Sequence, residues 1–141
     1  MKTLLVAVDG SPPSLRALDY AIAEAKALGE GAIIHLVNAQ PPVPSAVSDF
    51  VDRNAVDDFH REEAEKEIAT ARQKLTESGV TFRTALLVGS PAESIAKYAK
   101  TNTIDEIIMG RRGLNRLSGL LLGAVSTRVL ALVEQPVTLI K

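Results

Sequence analysis

The sequence predicts an α/β domain built on an open, five-stranded parallel sheet with helices on both faces. Three observations carry this expectation. Short apolar runs bounded by turn residues alternate with longer segments whose apolar residues recur every three or four positions. The connections between successive runs are long enough to hold a helical crossover, which is right-handed and returns the chain parallel to its previous strand. The composition, 46% hydrophobic and 23% charged over 141 residues, is that of one globular domain. At this length a fold buries roughly two-thirds of its unfolded surface and needs no disulfide or structural metal.

Residues 4–8 form a continuous apolar run, as expected of a strand buried on both faces. The start of the chain looks briefly like a signal peptide, but Asp9-Gly10-Ser11-Pro12-Pro13 cuts the apolar run short. Ser11 then caps a helix whose first turn accepts Pro12 and Pro13. Leu15, Leu18, Ile22 and Ala25 hold one face of it, and Gly29 or Gly31 ends it. Residues 32–37 are a second buried strand, and Pro41-Pro42-Val43-Pro44 opens a loop of undefined conformation. A long helix spans 57–78, with Ala64, Ile68, Ala71 and Leu75 inward. Glu62-Glu63 and Glu65-Lys66-Glu67 read as its solvated face, with a Glu62–Lys66 pair, and Gly79 stops it. Strand 80–88, helix 91–100, strand 106–109, helix 124–133 and a short last strand, 137–140, complete the alternation.

Composition narrows the function. Without cysteine there is no thiol nucleophile, zinc–thiolate site or iron–sulfur cluster, and a reducing, cytoplasmic setting is expected. Sixteen basic against 17 acidic residues give a net charge of −1, so neither nucleic acid nor an anionic membrane is an expected partner. No apolar run approaches the roughly 20 residues of a membrane span. His35 falls on a buried strand and His60 on a polar helix face, with no clustered carboxylates to complete a metal site. Ser11 and Ser126 have no evident base beside them, so no catalytic nucleophile is assigned.

In open parallel sheets the ligand lies beyond the carboxyl ends of the strands, where the strand order reverses. The residues to weigh are Asp9 to Ser11, Val37 to Ala39, Gly89-Ser90, and the chain from Gly110 onward. The 110–126 stretch carries Gly110, Gly113, Gly119 and Gly123 with Arg111, Arg112 and Arg116, and it runs into a helix whose first turn holds Ser126. Glycine lets backbone approach an anion, and free amides at a helix start supply donors and partial positive charge. A loop of solvated arginines that binds nothing fits the same residues. No lysine lies between Lys100 and Lys141, which excludes a P-loop. Asp9 reads either as a turn former or as a sugar or metal contact.

The spacing Gly-x2-Gly-x9-Gly from Gly110, joined to the opening Val-Asp-Gly-Ser, His35-Leu36-Val37, Gly89-Ser90-Pro91 and Gln135-Pro136-Val137, resembles the universal stress protein family along the whole chain, specifically its ATP-binding branch. The resemblance implies a Rossmann-like sheet of order 3-2-1-4-5 forming one domain, 1–141. It also implies ATP, AMP or another adenine nucleotide, with Mg²⁺ accompanying a triphosphate. The adenine would lie on the backbone of Ala7 and Leu36, and the nucleoside would meet Asp9. Ribose would meet Met109 and Gly110, and phosphates would meet Arg112, Gly113, Gly123, Ala124, Val125 and Ser126. One departure is Ala124, where the family pattern prefers Ser or Thr. The family also implies a homodimer through residues 137–140 and a regulatory role, with a protein partner not identified. Two alternatives stay open: an interaction module without nucleotide, and a slow ATPase. The latter is disfavoured because no Glu, Gln or His stands near the glycine loop in sequence to orient water.

Overall fold

The computed structural model describes residues 1–111 and 123–141. Strand β1 (Lys2–Ala7) is central because its side chains alternate between two separate cores. Leu4 and Val6 point to one face and Leu5 to the other, and none of the three has any exposure. Both faces must therefore be covered. Helices α1 (Pro12–Leu28) and α3 (Arg53–Ser78) cover the first, packing Leu18, Ile68 and Leu75 against Leu36 and Ile108. Helices α4 (Pro91–Thr101) and α5 (Ala124–Leu132) cover the second, packing Ile95 and Val129 against Val37 and Ile107.

The sheet order is β3-β2-β1-β4-β5, with β2 (Ala32–Gln40), β3 (Phe82–Val88), β4 (Glu106–Gly110) and β5 (Val137–Ile140), and all pairings are parallel. Leu5 sits between His35 of β2 and Ile107 of β4. The chain leaves β1 toward β2 and later returns on the other side as β4, so the strand order reverses beside β1 and opens a crevice there. The predicted fold class and strand order are the observed ones.

Several boundaries move. β1 begins at Lys2, and β2 continues to Gln40, three residues beyond the apolar run that predicted it. Asn38 and Gln40 are polar yet buried, so hydropathy alone ends the strand too early. α3 starts at Arg53, where the Asp52 side chain accepts from the Ala55 amide at 2.8 Å. The loop after Pro44 contains a single short helix, α2 (Ser45–Ser48). His60 is a correction: it is 3% exposed and turned inward. Lys66 pairs with Glu63 at 3.3 Å rather than with Glu62.

At the amino end of the sheet, Lys2 Nζ lies 2.8 Å from Glu106 Oε1 and 3.1 Å from Glu24 Oε1, and Thr138 Oγ1 donates to Glu106 Oε2 at 3.1 Å. Burial alone would raise the Glu106 carboxyl, but the hydrogen bonds from Lys2 and Thr138 bring it below its ordinary value. A lowered folded pKa makes a contribution that is complete above the unfolded value, about 4.3, and is lost as pH falls through the folded one. Glu106→Gln is therefore expected to cost about 1–2 kcal/mol at pH 7. The gap to wild type should close below about pH 4 in urea titrations across pH.

Candidate functional site

A cavity of about 290 Å³ opens at the carboxyl ends of β2, β1 and β4. Its floor follows the sheet order: Ala39 and Pro41 from β2 and its exit, Ala7 to Asp9 from β1, and Met109 and Gly110 from β4. Val125 and Ser126 close the β4 side and Glu67 of α3 closes the β2 side. Of the residues expected there, Ala7, Asp9, Met109, Gly110, Val125 and Ser126 come together around this one space. Leu36 packs in the α1/α3 core instead, 1% exposed, and Ala39 and Pro41 line the cavity from its strand. Gly123 and Ala124 open α5 beside it. Arg112, Gly113 and Arg116 lie outside the described residues.

Asp9 is held by a local turn. Its Oδ1 accepts from the Ser11 amide at 3.0 Å, and its own amide donates to Ser14 Oγ at 3.4 Å. Ser11 in turn caps α1, accepting from the Ser14 amide at 3.4 Å. The turn-forming reading of Asp9 is thus realised, on the rim of the cavity.

Gly110 touches both the site and the fold. A Cβ built on it would meet Pro13 C at 2.6 Å and Ser14 N at 2.7 Å, backbone atoms of the first turn of α1. Close approach of that turn to the end of β4 demands glycine regardless of any ligand. On the far side, α5 begins at Ala124 with Gly123 as N-cap and no side-chain cap bond. Its first-turn amides have no partner within the helix and carry the positive end of the helix dipole toward the cavity wall. Ser126, 1% exposed, aims Oγ at the Gly110 carbonyl at 3.4 Å, and Thr127 Oγ1 donates to the Gly123 carbonyl at 2.9 Å.

On the β2 side, where the strand end 37–39 was expected, Ala39 lines the cavity, and Asn38 leads into a polar row that the sequence did not single out. Asn38 Nδ2 donates to the Val8 carbonyl at 2.9 Å and to Glu67 Oε2 at 2.7 Å. A carbonyl only accepts, so this contact fixes which end of the Asn38 amide is nitrogen. Gln40 Nε2 donates to Asn38 Oδ1 at 3.1 Å and to Glu67 Oε2 at 3.4 Å, and His60 Nδ1 lies 3.2 Å from Gln40 Oε1. The imidazole must then carry its proton on Nδ1, and buried Nε2 has no hydrogen-bond partner among the described residues. This row of groups ties α3 to β2 and seats Glu67 at the cavity. The sequence alone assigns Glu67 to a solvated face, and the structure corrects this. The signal that would have found it is helical: three or four steps back along the Ala64–Ile68–Ala71–Leu75 stripe lead to His60 and Glu67. His35, by contrast, is a satisfied core residue with Nδ1 2.8 Å from the Tyr98 hydroxyl, its pKa lowered by burial and then by Arg83.

Electrostatically the cavity has two ends. Carboxylates of Asp9 and Glu67 stand over β1 and β2, and amide donors stand over β4 and α5. Such a space suits an elongated ligand with an anionic end at α5 and a neutral, donor-bearing end at β2. Among the described residues no group of three or more His, Cys, Asp or Glu is placed to hold a metal, and no helix is long and apolar enough to cross a membrane.

Comparison with known proteins agrees with this architecture. The model of the universal stress protein family matches residues 1–141. Universal stress protein YxiE of Bacillus subtilis is 33% identical over 144 residues, covering 98% of this chain and 97% of its own. The solved structure of MJ0577, a universal stress protein of Methanocaldococcus jannaschii, superposes with a TM-score of 0.83 at 27% identity, covering 99% of this chain and 95% of that one. A universal stress protein in complex with cAMP superposes with a TM-score of 0.76 at 25% identity, covering 99% and 97%.

Proposed function

Because the chain belongs to the universal stress protein family, we propose that it is a cytoplasmic, ATP-binding regulatory protein of the stress response that couples nucleotide occupancy to its choice of partner. The observation that carries this reading is the two-ended cavity at the strand-order reversal between β1 and β4. Phosphates lie against the first-turn amides of α5, supplied by Ala124, Val125 and Ser126 after Gly123, and are gathered by Arg112 and Gly113. Ribose lies over Asp9, Met109 and Gly110, and adenine over the ends of β1 and β2, toward Ala7 and the backbone beyond Leu36. Mg²⁺ enters on the triphosphate, held mainly by phosphate oxygens with Asp9 or Ser126 as its nearest protein groups. The cAMP complex of a relative supports an adenine nucleotide as the ligand class.

Binding, not turnover, is the proposed activity. Hydrolysis needs a group that orients water at the terminal phosphate. Among the described residues the Glu that lines the cavity, Glu67, and the Gln40 and His60 joined to it stand on the β2 side, away from α5, while Glu93 of α4 is exposed and paired with Arg128 at 3.0 Å. Mass spectrometry of nucleotide released from the purified protein, followed by calorimetry with ATP, AMP and cAMP, tests the reading. A protein that carries none and binds none is an interaction module instead.

Assembly follows from the sheet. Among the described residues β5 pairs only with β4, and its residues are all part-exposed. The carbonyls of Pro136 and Ile140 accept from Ile107 and Arg111, so by alternation the N–H and C=O of Leu139 face the open edge. We propose that this edge meets its copy in a C2 homodimer. Leu139→Pro removes an outward donor and no β4–β5 bond, and sedimentation is expected to show dimer in wild type and mostly monomer in the variant.

A further inference from the structure

We propose that Glu67 reads the nucleoside half of the ligand, accepting a hydrogen bond from it through Oε1. This deepens the nucleotide reading above and rests on it.

Two nearly fully buried amides hold the carboxylate by one oxygen only. Asn38 is 1% exposed and Gln40 5% exposed, and both donate to Oε2. The side chain lines the cavity, and Oε1 makes no hydrogen bond among the described residues. The row behind it cannot be reversed. The Val8 carbonyl orients Asn38, Asn38 Oδ1 orients Gln40, and Gln40 Oε1 orients His60. Glu67 is therefore a fixed acceptor at the end of the cavity farthest along the sheet from the first turn of α5.

A negative acceptor there has two consequences for a nucleotide. It disfavours phosphate at that end, which sets the direction in which the ligand lies. It also takes one neutral donor, either an exocyclic amine of the base or a sugar hydroxyl. Because Oε2 is already occupied by the two amides, the ligand's donor is taken by Oε1. A purine bearing an amine at position 6 offers such a donor, whereas a 6-oxo purine presents an acceptor there and is repelled.

The orienting row makes the isosteric variant informative. In Glu67→Gln the Asn38 and Gln40 donors still require an acceptor, so the new amide turns its oxygen to them and its NH₂ takes the place of Oε1. The group offered to the ligand changes from acceptor to donor with little change of shape.

Calorimetry of wild type, Glu67→Gln and Glu67→Ala with ATP, ITP and 2′,3′-dideoxy-ATP tests this, with thermal unfolding of the nucleotide-free proteins to confirm the fold. If the base is the donor, wild type binds ITP about tenfold or more weakly than ATP, Glu67→Gln reverses that order, and Glu67→Ala abolishes the difference. If the sugar is the donor, wild type loses about tenfold on dideoxy-ATP. Glu67→Gln then keeps the preference for ATP, since a hydroxyl also accepts, and Glu67→Ala removes it. ATP affinity unchanged in Glu67→Ala, or loss by one common factor for all three nucleotides, overturns the assignment and leaves the nucleotide reading standing. Failure of wild type to bind any of them overturns both.

Discussion

Gly110→Ala is expected to destabilise the protein by about 2–4 kcal/mol, enough to lower its melting temperature by roughly 10 °C. The added methyl would sit 2.6 Å from Pro13 C, 2.7 Å from Ser14 N and 2.8 Å from Pro13 O. These are backbone atoms, so no rotamer change relieves the clash. β4 cannot withdraw, because Gly110 is paired with Ile140 and the preceding Ile107 and Met109 are buried between β1 and β5. The first turn of α1 cannot lift without losing the Ser11 cap and the Asp9–Ser11 turn. Differential scanning calorimetry of the nucleotide-free variant checks the size of the loss. A variant as stable as wild type would mean that the end of β4 and the start of α1 are not packed together as described. The result also bears on function: impaired nucleotide binding in this variant follows from damage to the fold and says nothing about a ligand contact at Gly110.

How much of this was legible in the sequence varies by the kind of signal each residue carries. The strands announced themselves because both sheet faces are covered, so Leu4, Leu5 and Val6 had to be apolar in succession. The reversal beside β1 came from family likeness, since nothing in local periodicity says whether β4 returns beside β1 or beside β3. Asp9, Gly110 and Ser126 were singled out by the turn and glycine signals that mark strand ends and helix starts, Met109 and Val125 by the family resemblance alone, and all five line the cavity. Asn38 fell within the strand end that the sequence marks for attention, but Gln40, His60 and Glu67 were not found, for one physical reason. Each is a polar residue buried or half-buried by pairing with a polar residue distant in sequence, and hydropathy registers only the cost of burial, not the partner that offsets it. The run Glu62 to Glu67 has one composition but two environments, with Glu62 exposed and Glu67 half-buried at the site, and only the helical phase separates them.

Ala124→Asp is expected to weaken ATP binding on the order of 100-fold while leaving the fold slightly more stable. Ala124 is the first residue of α5, and it is exposed. A carboxylate in the first turn of a helix is favoured by the unpaired amides and the helix dipole, by about 0.5 kcal/mol at an exposed position. The same carboxylate competes with the phosphates for those amides and repels them. Two like charges about 5 Å apart in a partly screened site interact by roughly 3 kcal/mol, which is the 100-fold. Stability and affinity therefore move in opposite directions, a combination that damage to the fold cannot produce. Ala124→Ser is the matching gain. It restores the hydroxyl that the family pattern places after the third glycine, adds one donor to the phosphate, and is expected to tighten ATP by several-fold, about 1 kcal/mol. Calorimetry of both variants, paired with their unfolding curves, decides the matter. If ATP binds Ala124→Asp as it binds wild type, the start of α5 does not hold the phosphates, and the polarity assigned to the cavity is reversed or wrong.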